Sequence, residues 1–248
     1  MKKEFSIQGY RSIIETALSS GYSFISFDKT QNGQEKFCLL RHDIDADLEA
    51  AKTIAAVEHG YSVIATYFVM LRSPVYNLFG RHNHRCIEEI LKMGHSLALH
   101  YDEAFYPDNK KELQELVESE VYILEKAYGN KINAVSFHQP GPKILANEIK
   151  IENFINTYDK KDLEGIFYIS DSNMNWKNND IWDLLENSTH NKIQLLTHPM
   201  WWVGSGQENT HKLWDKALLD NFNRSLDQVI GTEGAFGTPR KIKKLDLL

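Results

Sequence analysis

Short apolar runs rich in β-branched and aromatic residues alternate along this chain with helical stripes, and that alternation restricts the fold more than any other feature. Tyr10, Ile13, Ile14, Ala17 and Leu18 form the stripe of a core-facing helix with Gly21 as its stop. Phe37–Leu40 follows as a strand. Leu48, Ala51, Ile54 and Ala55 mark a second helix ending near Gly60, with Asp45 or Asp47 as its cap. Ser62–Met70 reads as the next strand. The pattern repeats with a helix through Cys86, Ile87, Ile90 and Leu91 closed by Gly94, then a strand at Ser96–His100. A long helix opening at Asp108 and Asn109 carries Leu113, Leu116, Val117, Val121 and Leu124 to Gly129, before a strand at Ile132–Phe137. Gly165–Ser170 and Lys192–Thr197 are two further strands, and Trp214–Ile230 a last helix. Such alternation predicts a parallel sheet, covered by helices or closed into a barrel.

Polar clusters recur where these strands end. They read Arg41-His-Asp-Ile-Asp45, Gly94 through Asp102, Ser136-Phe-His-Gln-Pro-Gly141, Ser170-Asp-Ser-Asn-Met-Asn-Trp176 and Leu195 through Trp202. The carboxyl ends of parallel strands line the ligand crevice, so His42, Asp43, Asp45, His100, Asp102, His138, Asp171 and His198 are expected on one rim. In a strand, residues i and i+2 point the same way, so Asp43 and Asp45 can share the crevice. His42 and His95 are expected to pack or cap, and His59, His82, His84, His190 and His211 to lie on the surface.

The 248 residues contain 42% hydrophobic and 25% charged residues with no linker-like tract, which fits a single domain over 1–248. Within it, 1–36 form a helical lead-in, 37–202 the motif-bearing barrel and 203–248 a C-terminal helical segment. A net charge of −6 gives no footprint for nucleic acid, and the only basic cluster, Arg240–Lys244, is short. No run is long enough for a membrane span, and the start lacks the apolar segment of a secretory signal. Two cysteines, Cys38 and Cys86, indicate no disulfide framework, so a reducing, cytoplasmic setting is expected.

From Phe37 to Trp202 the chain resembles the polysaccharide deacetylases, the NodB-homology fold of carbohydrate esterase family 4. The family's Thr-Phe-Asp-Asp looks like Arg41–Asp45, its histidine motif is similar to Gly94–His100, and its Arg-x-Pro matches His138-Gln-Pro140 with His in place of Arg. Its Asp followed by Asp-Trp resembles Asp171 with Asn175-Trp176, and its Leu-x-His corresponds to Leu196-Thr-His198. The Arg-His-Asp-x-Asp form of the first motif is similar to a divergent branch associated with bacterial surface-polysaccharide biosynthesis. One departure is sharp: the second histidine of the metal motif falls at Ala104.

The resemblance implies a distorted (β/α) barrel and metal-assisted removal of an acetyl group from an N-acetylated sugar or related glycan precursor. It implies Asp43 as base, His198 as general acid with Asp171 orienting it, and Asp45, His100 and His138 as ligands of a divalent metal. Zn²⁺ is expected first, with Co, Fe, Ni or Mn as alternatives. Arg41, Trp176, Trp201 and Trp202 are expected to bind substrate, although the tryptophans serve equally well as core. Two other readings stay open: a metal-independent amide hydrolase of the same fold, which Ala104 favours, and a catalytically degenerate sugar-binding protein. The partner is a small molecule or glycan; the oligomeric state is not encoded in any motif.

Overall fold

The computed structural model describes residues 4–30, 34–106, 112–177 and 179–234. Among these, eight strands form one parallel sheet: β1 (Ser23–Phe24), β2 (Phe37–Ile44), β3 (Thr66–Val69), β4 (Ser96–Asp102), β5 (Ala134–His138), β6 (Ile155–Asn156), β7 (Phe167–Ser170) and β8 (Lys192–Thr197). Their order is β6-β5-β4-β3-β2-β8-β7, with β1 on the first two residues of β2. The helices are α1 (Ile7–Ser19), α2 (Leu48–Gly60), α3 (Arg81–Lys92), α4 (Leu113–Tyr128), α5 (Pro142–Leu145), α6 (Ile181–Glu186) and α7 (Thr210–Thr232). The sheet curls into a distorted (β/α) barrel that stays open between β6 and β7.

Strand parity builds the two sides of this sheet. On β2, Phe37 and Leu39 point inward and meet Phe68, Ala98 and Ala134 from the neighbouring strands in a small interior cluster. Phe27 closes that cluster from below the sheet, edge-on to Phe68 at 5.6 Å between centroids. Cys38, Leu40 and Ile44 point outward into the larger core under the helices. All eight residues of β2 are buried, which is why it reads as a continuous run rather than an alternating one. The same parity places Arg41 and Asp43 above Phe37 and Leu39, His100 above Ala98, and Ser136 and His138 above Ala134. A dry apolar floor therefore carries a polar upper storey at the carboxyl ends.

The outward-facing polar residue of β2, His42, sits in a closed network. Its Nδ1 meets the Thr197 hydroxyl at 2.8 Å, and its Nε2 meets the fully buried Glu58 at 2.6 Å. Glu58 also accepts from the hydroxyls of Tyr67, at 2.7 Å, and Tyr10. His95 is held between the Ala65 amide and the Ala55 carbonyl. Both histidines thus pack, and His42 leaves the expected rim because its position in β2 has the opposite parity to Arg41 and Asp43.

The helix cap before α2 is Asp47, which accepts from the amides of Glu49 and Ala50, so Asp45 is free for another role. Gly21 and Gly94 stop their helices at positive φ, and Gly129 takes the left-handed position after α4 with its amide on the Glu125 carbonyl. Gly60 differs: it is the last residue of α2, and Ser62 makes the turn instead. The strand expected at Ser62–Met70 is confined to Thr66–Val69, whereas β2 and β4 run on into their polar clusters. The expected opening of the long helix at Asp108 and Asn109, and Arg240–Lys244, lie outside the described residues.

Candidate active site

Two buried groups from one strand face make the first half of the site. Arg41 donates to Asp43 through Nε at 2.8 Å and Nη2 at 2.7 Å, a bidentate clamp on both carboxylate oxygens. Nη2 also donates to the Tyr158 hydroxyl at 3.1 Å, and the guanidinium lies over the rings of Tyr158 and Phe68 at 5.0 and 5.3 Å. Burial alone would push the Asp43 carboxyl up, but the Arg41 charge outweighs it and holds the group below its ordinary value. Asp43 is therefore an anion held in one orientation, in contact with the crevice.

The second half faces it. His100 Nδ1 is fixed by the Ser136 hydroxyl at 2.7 Å, its cross-strand partner, which turns Nε2 toward Asp45 Oδ1 at 3.2 Å and Asp43 Oδ2 at 3.7 Å. His198 Nε2 lies 3.8 Å from the other Asp45 oxygen. Its Nδ1 is 2.6 Å from the fully buried Asp171, which also accepts from the Trp202 indole at 2.8 Å and the His198 amide at 3.1 Å. Burial opposes a charged His198, but the Asp171 charge and hydrogen bond prevail and raise it to about 9. Burial likewise opposes the Asp45 anion, and the His100 imidazole 3.2 Å away, with His198 and His138, reverses it, so Asp45 is held well below the usual carboxylate range. The arrangement sets an oriented anion against an oriented imidazolium across one crevice, the two protonation states that acid and base work requires.

His138 joins this rim at its edge. Its ring stands perpendicular to that of His100 with centroids 5.5 Å apart, and its Nδ1 is 4.0 Å from Asp102. Ala104 lies in the short turn after β4, where its amide donates to the Asp102 side chain. The crevice encloses about 310 Å³, within the range of small-molecule sites. Gln139 and Asn173, both at its rim, hold left-handed backbones at φ 47° and 56°, a conformation that asparagine tolerates and that is strained for glutamine.

The expected substrate-binding set divides. Trp201 lines the crevice. Arg41 is fully buried beneath Asp43, so it positions the carboxylate rather than meeting substrate. Trp202 is also fully buried and serves Asp171, and Trp176 packs on Phe5 and Trp202 away from the crevice lining. The reason is packing: the rings of Phe5, Tyr10 and Trp176 lie against Trp202, which has no exposed face left for a sugar. Tyr158, Tyr168 and Trp214 line the crevice instead. No motif announces these three, because an aromatic residue in a strand such as Tyr168, in a helix such as Trp214 or in an irregular segment such as Tyr158 reads as core filling.

Whether a divalent metal fits can be judged from the donors. Asp45 Oδ1 is buried without a hydrogen-bond partner, and His100 Nε2 is turned toward it, so these two fit adjacent ligands. No three crevice side chains, with or without His138, have ligand atoms all within 4.8 Å of one another among the described residues, so the crevice offers two adjacent donors rather than a converged set of three.

No protein-family model matches the chain, and no curated protein matches it. Several solved structures do. The catalytic domain of a peptidoglycan N-acetylglucosamine deacetylase from Eubacterium rectale is 17% identical, with 84% of this chain and 90% of that one covered at a TM-score of 0.46. A family 4 carbohydrate esterase from Bacillus anthracis is 14% identical, covering 88% and 91% at 0.42. A pseudoenzyme of the same family from Bacillus anthracis is also 14% identical, covering 77% and 62% at 0.44. These are likenesses of overall fold to the family that the motifs resemble; the site is defined by its own residues.

Proposed function

We propose that this protein is a hydrolase that removes an acetyl group from an N-acetylated sugar or a related glycan precursor, in a bacterial surface-polysaccharide route and from a cytoplasmic position. The observation that carries the reading is the opposition of Asp43, clamped as an anion by Arg41, to His198, held as a cation by Asp171, with the orphaned oxygen of Asp45 between them. Asp43 takes a proton from attacking water. His198 gives one to the leaving amine. Arg41 keeps the base aimed without sharing the proton, and Asp171 keeps Nε2 of His198 toward the substrate. Asp45 and His100 are the residues suited to hold a divalent ion, Zn²⁺ first among candidates, which when bound would polarise the amide carbonyl and lower the pKa of water. No helix is long and apolar enough to cross a membrane among the described residues.

Acetate release from N-acetylglucosaminyl oligosaccharides and nucleotide-linked N-acetyl sugars tests the reading, before and after chelation and metal return. Turnover abolished by chelation and restored by metal supports it. Turnover untouched by chelation favours the metal-free amide hydrolase, for which the displaced His138 and Ala104 speak. Absence of turnover with all N-acetyl sugars, with retained sugar binding, leaves the degenerate binding protein.

A further inference from the structure

Outside the crevice, the first turn of α2 and the first two turns of α3 bring a carboxylate, an imidazole and a thiol together. Glu49 follows the cap residue Asp47, and His82 and Cys86 lie four apart on one face of α3. His82 Nε2 is 3.1 Å from Glu49 Oε2, Cys86 Sγ is 3.5 Å from that oxygen, and Sγ is 3.6 Å from the imidazole nitrogen. Among the described residues this is the one trio of such ligand atoms that all lie within 4.8 Å of one another.

The edges of that triangle carry information. A tetrahedral Zn²⁺ bound at ~2.3 Å to sulfur and ~2.0–2.1 Å to nitrogen and oxygen separates its ligands by roughly 3.6 Å for S to N, 3.5 Å for S to O and 3.3 Å for N to O. The observed edges follow the same order at nearly the same lengths. Lys52 occupies the other Glu49 oxygen at 2.8 Å, which leaves Oε2 as a single donor toward the trio. Cys86 is buried, whereas Glu49 and His82 are about two-fifths exposed, so an ion can reach the trio from solvent.

The geometry points to a second metal site, made by Glu49, His82 and Cys86, for a borderline-soft divalent cation such as Zn²⁺. A thiolate donor excludes Mg²⁺ and Ca²⁺ as natural occupants. An ion there ties the start of α2, four residues beyond Asp45, to α3, and so braces the chain segment that leaves the crevice. The site is independent of the chemistry proposed for the crevice, whose lining contains no cysteine.

That difference supplies the test. Titrating reduced, metal-free protein with Co²⁺ should raise a near-ultraviolet thiolate-to-cobalt charge-transfer band that saturates at one equivalent, whatever the total cobalt bound. Cys38 is buried within β2, so the band reports Cys86. It should vanish in Cys86→Ser and in His82→Ala, the latter a partly exposed position whose truncation spares the core. Zn²⁺ should raise the melting temperature of the parent protein by more than that of His82→Ala, in which only an ion in the crevice can still contribute. A parent protein without the band, its trio held by hydrogen bonds alone, overturns the proposal, and so does a band that survives in His82→Ala.

Discussion

The two faces of β2 carry the same residue types to different ends. On the helix side, His42, Glu58, Tyr10, Tyr67 and Thr197 satisfy one another, and Glu58 accepts from three partners. On the barrel side, Asp43 is satisfied by Arg41, yet Asp45 keeps a buried oxygen that accepts no hydrogen bond, with His100 Nε2 at 3.2 Å, and His198 reaches the open crevice. Imidazoles and carboxylates alone therefore do not mark a site. What separates the faces is incompleteness: a buried polar group left unpaired costs stability, and it is retained where something else is to bind.

The largest effect expected is on the open face. Asp43→Asn keeps the shape and cannot accept a proton, so turnover should fall by roughly 10² to 10⁴-fold, as removal of a general base does. Acetate-release kinetics check it, with melting curves to show that the variant folds. Full activity in that variant would remove Asp43 from the chemistry. On the closed face the loss should be of the other kind. Glu58→Ala strips the acceptor from His42 and two tyrosines and should cost about 3–5 kcal/mol of stability by the measure of broken buried pairs, with kcat per folded molecule little changed. Denaturant unfolding and active-site-normalised kinetics separate the two quantities. Should Glu58→Ala stay stable and lose turnover a hundredfold, the distinction between the faces collapses.

How far this division was readable follows from its physics. The i, i+2 placement of Asp43 and Asp45 at the end of an apolar run is written in the chain, and so is the recurrence of polar clusters at strand ends, which brought Asp43, Asp45, His100 and His198 to one crevice with Asp171 buried behind His198. Glu58 was invisible, since a glutamate in the last turn of a helix ordinarily faces water and its burial depends on what two other elements place beside it. Arg41 read as a substrate-binding residue at the end of an apolar strand, not as the clamp on a residue two positions along. The i, i+4 pair His82 and Cys86 stands in the sequence, but Glu49 joins it only through packing of α2 on α3.

A subtler comparison concerns His198, whose charge belongs to the open face while its support lies in the core. Asp171 raises it to about 9, above its ordinary value. The protonated form is thus present below that value and is lost as pH rises through it, so activity that needs the acid should decline on an alkaline limb near pH 9. The sign for stability agrees: the pairing contributes fully below the unfolded value of about 6.5 and its contribution disappears between there and about 9. Asp171→Asn removes the charge and should move the limb downward, with kcat at neutral pH reduced less than in Asp43→Asn. A limb that stays near pH 9 in this variant assigns the titration to another group.

The smallest effect should come from His138, and it sharpens what incompleteness means within the crevice itself. His100 presents Nε2 directly to the orphaned oxygen of Asp45, whereas His138 stands edge-on at the rim with Asp102 as its nearest acid. If the crevice holds a divalent ion through the first pair, His100→Ala should weaken it by more than the 10 to 100-fold typical of losing a supporting residue, and His138→Ala by only a few fold. Equilibrium dialysis with metal analysis distinguishes them, provided the ion at Glu49, His82 and Cys86 is eliminated by His82→Ala. Comparable losses from the two substitutions would mean that His138 swings inward on binding and serves as the third ligand in place of the histidine missing at Ala104. A small loss confirms that the third position is left to water or substrate, and that the rim histidine acts on what enters rather than on what holds it.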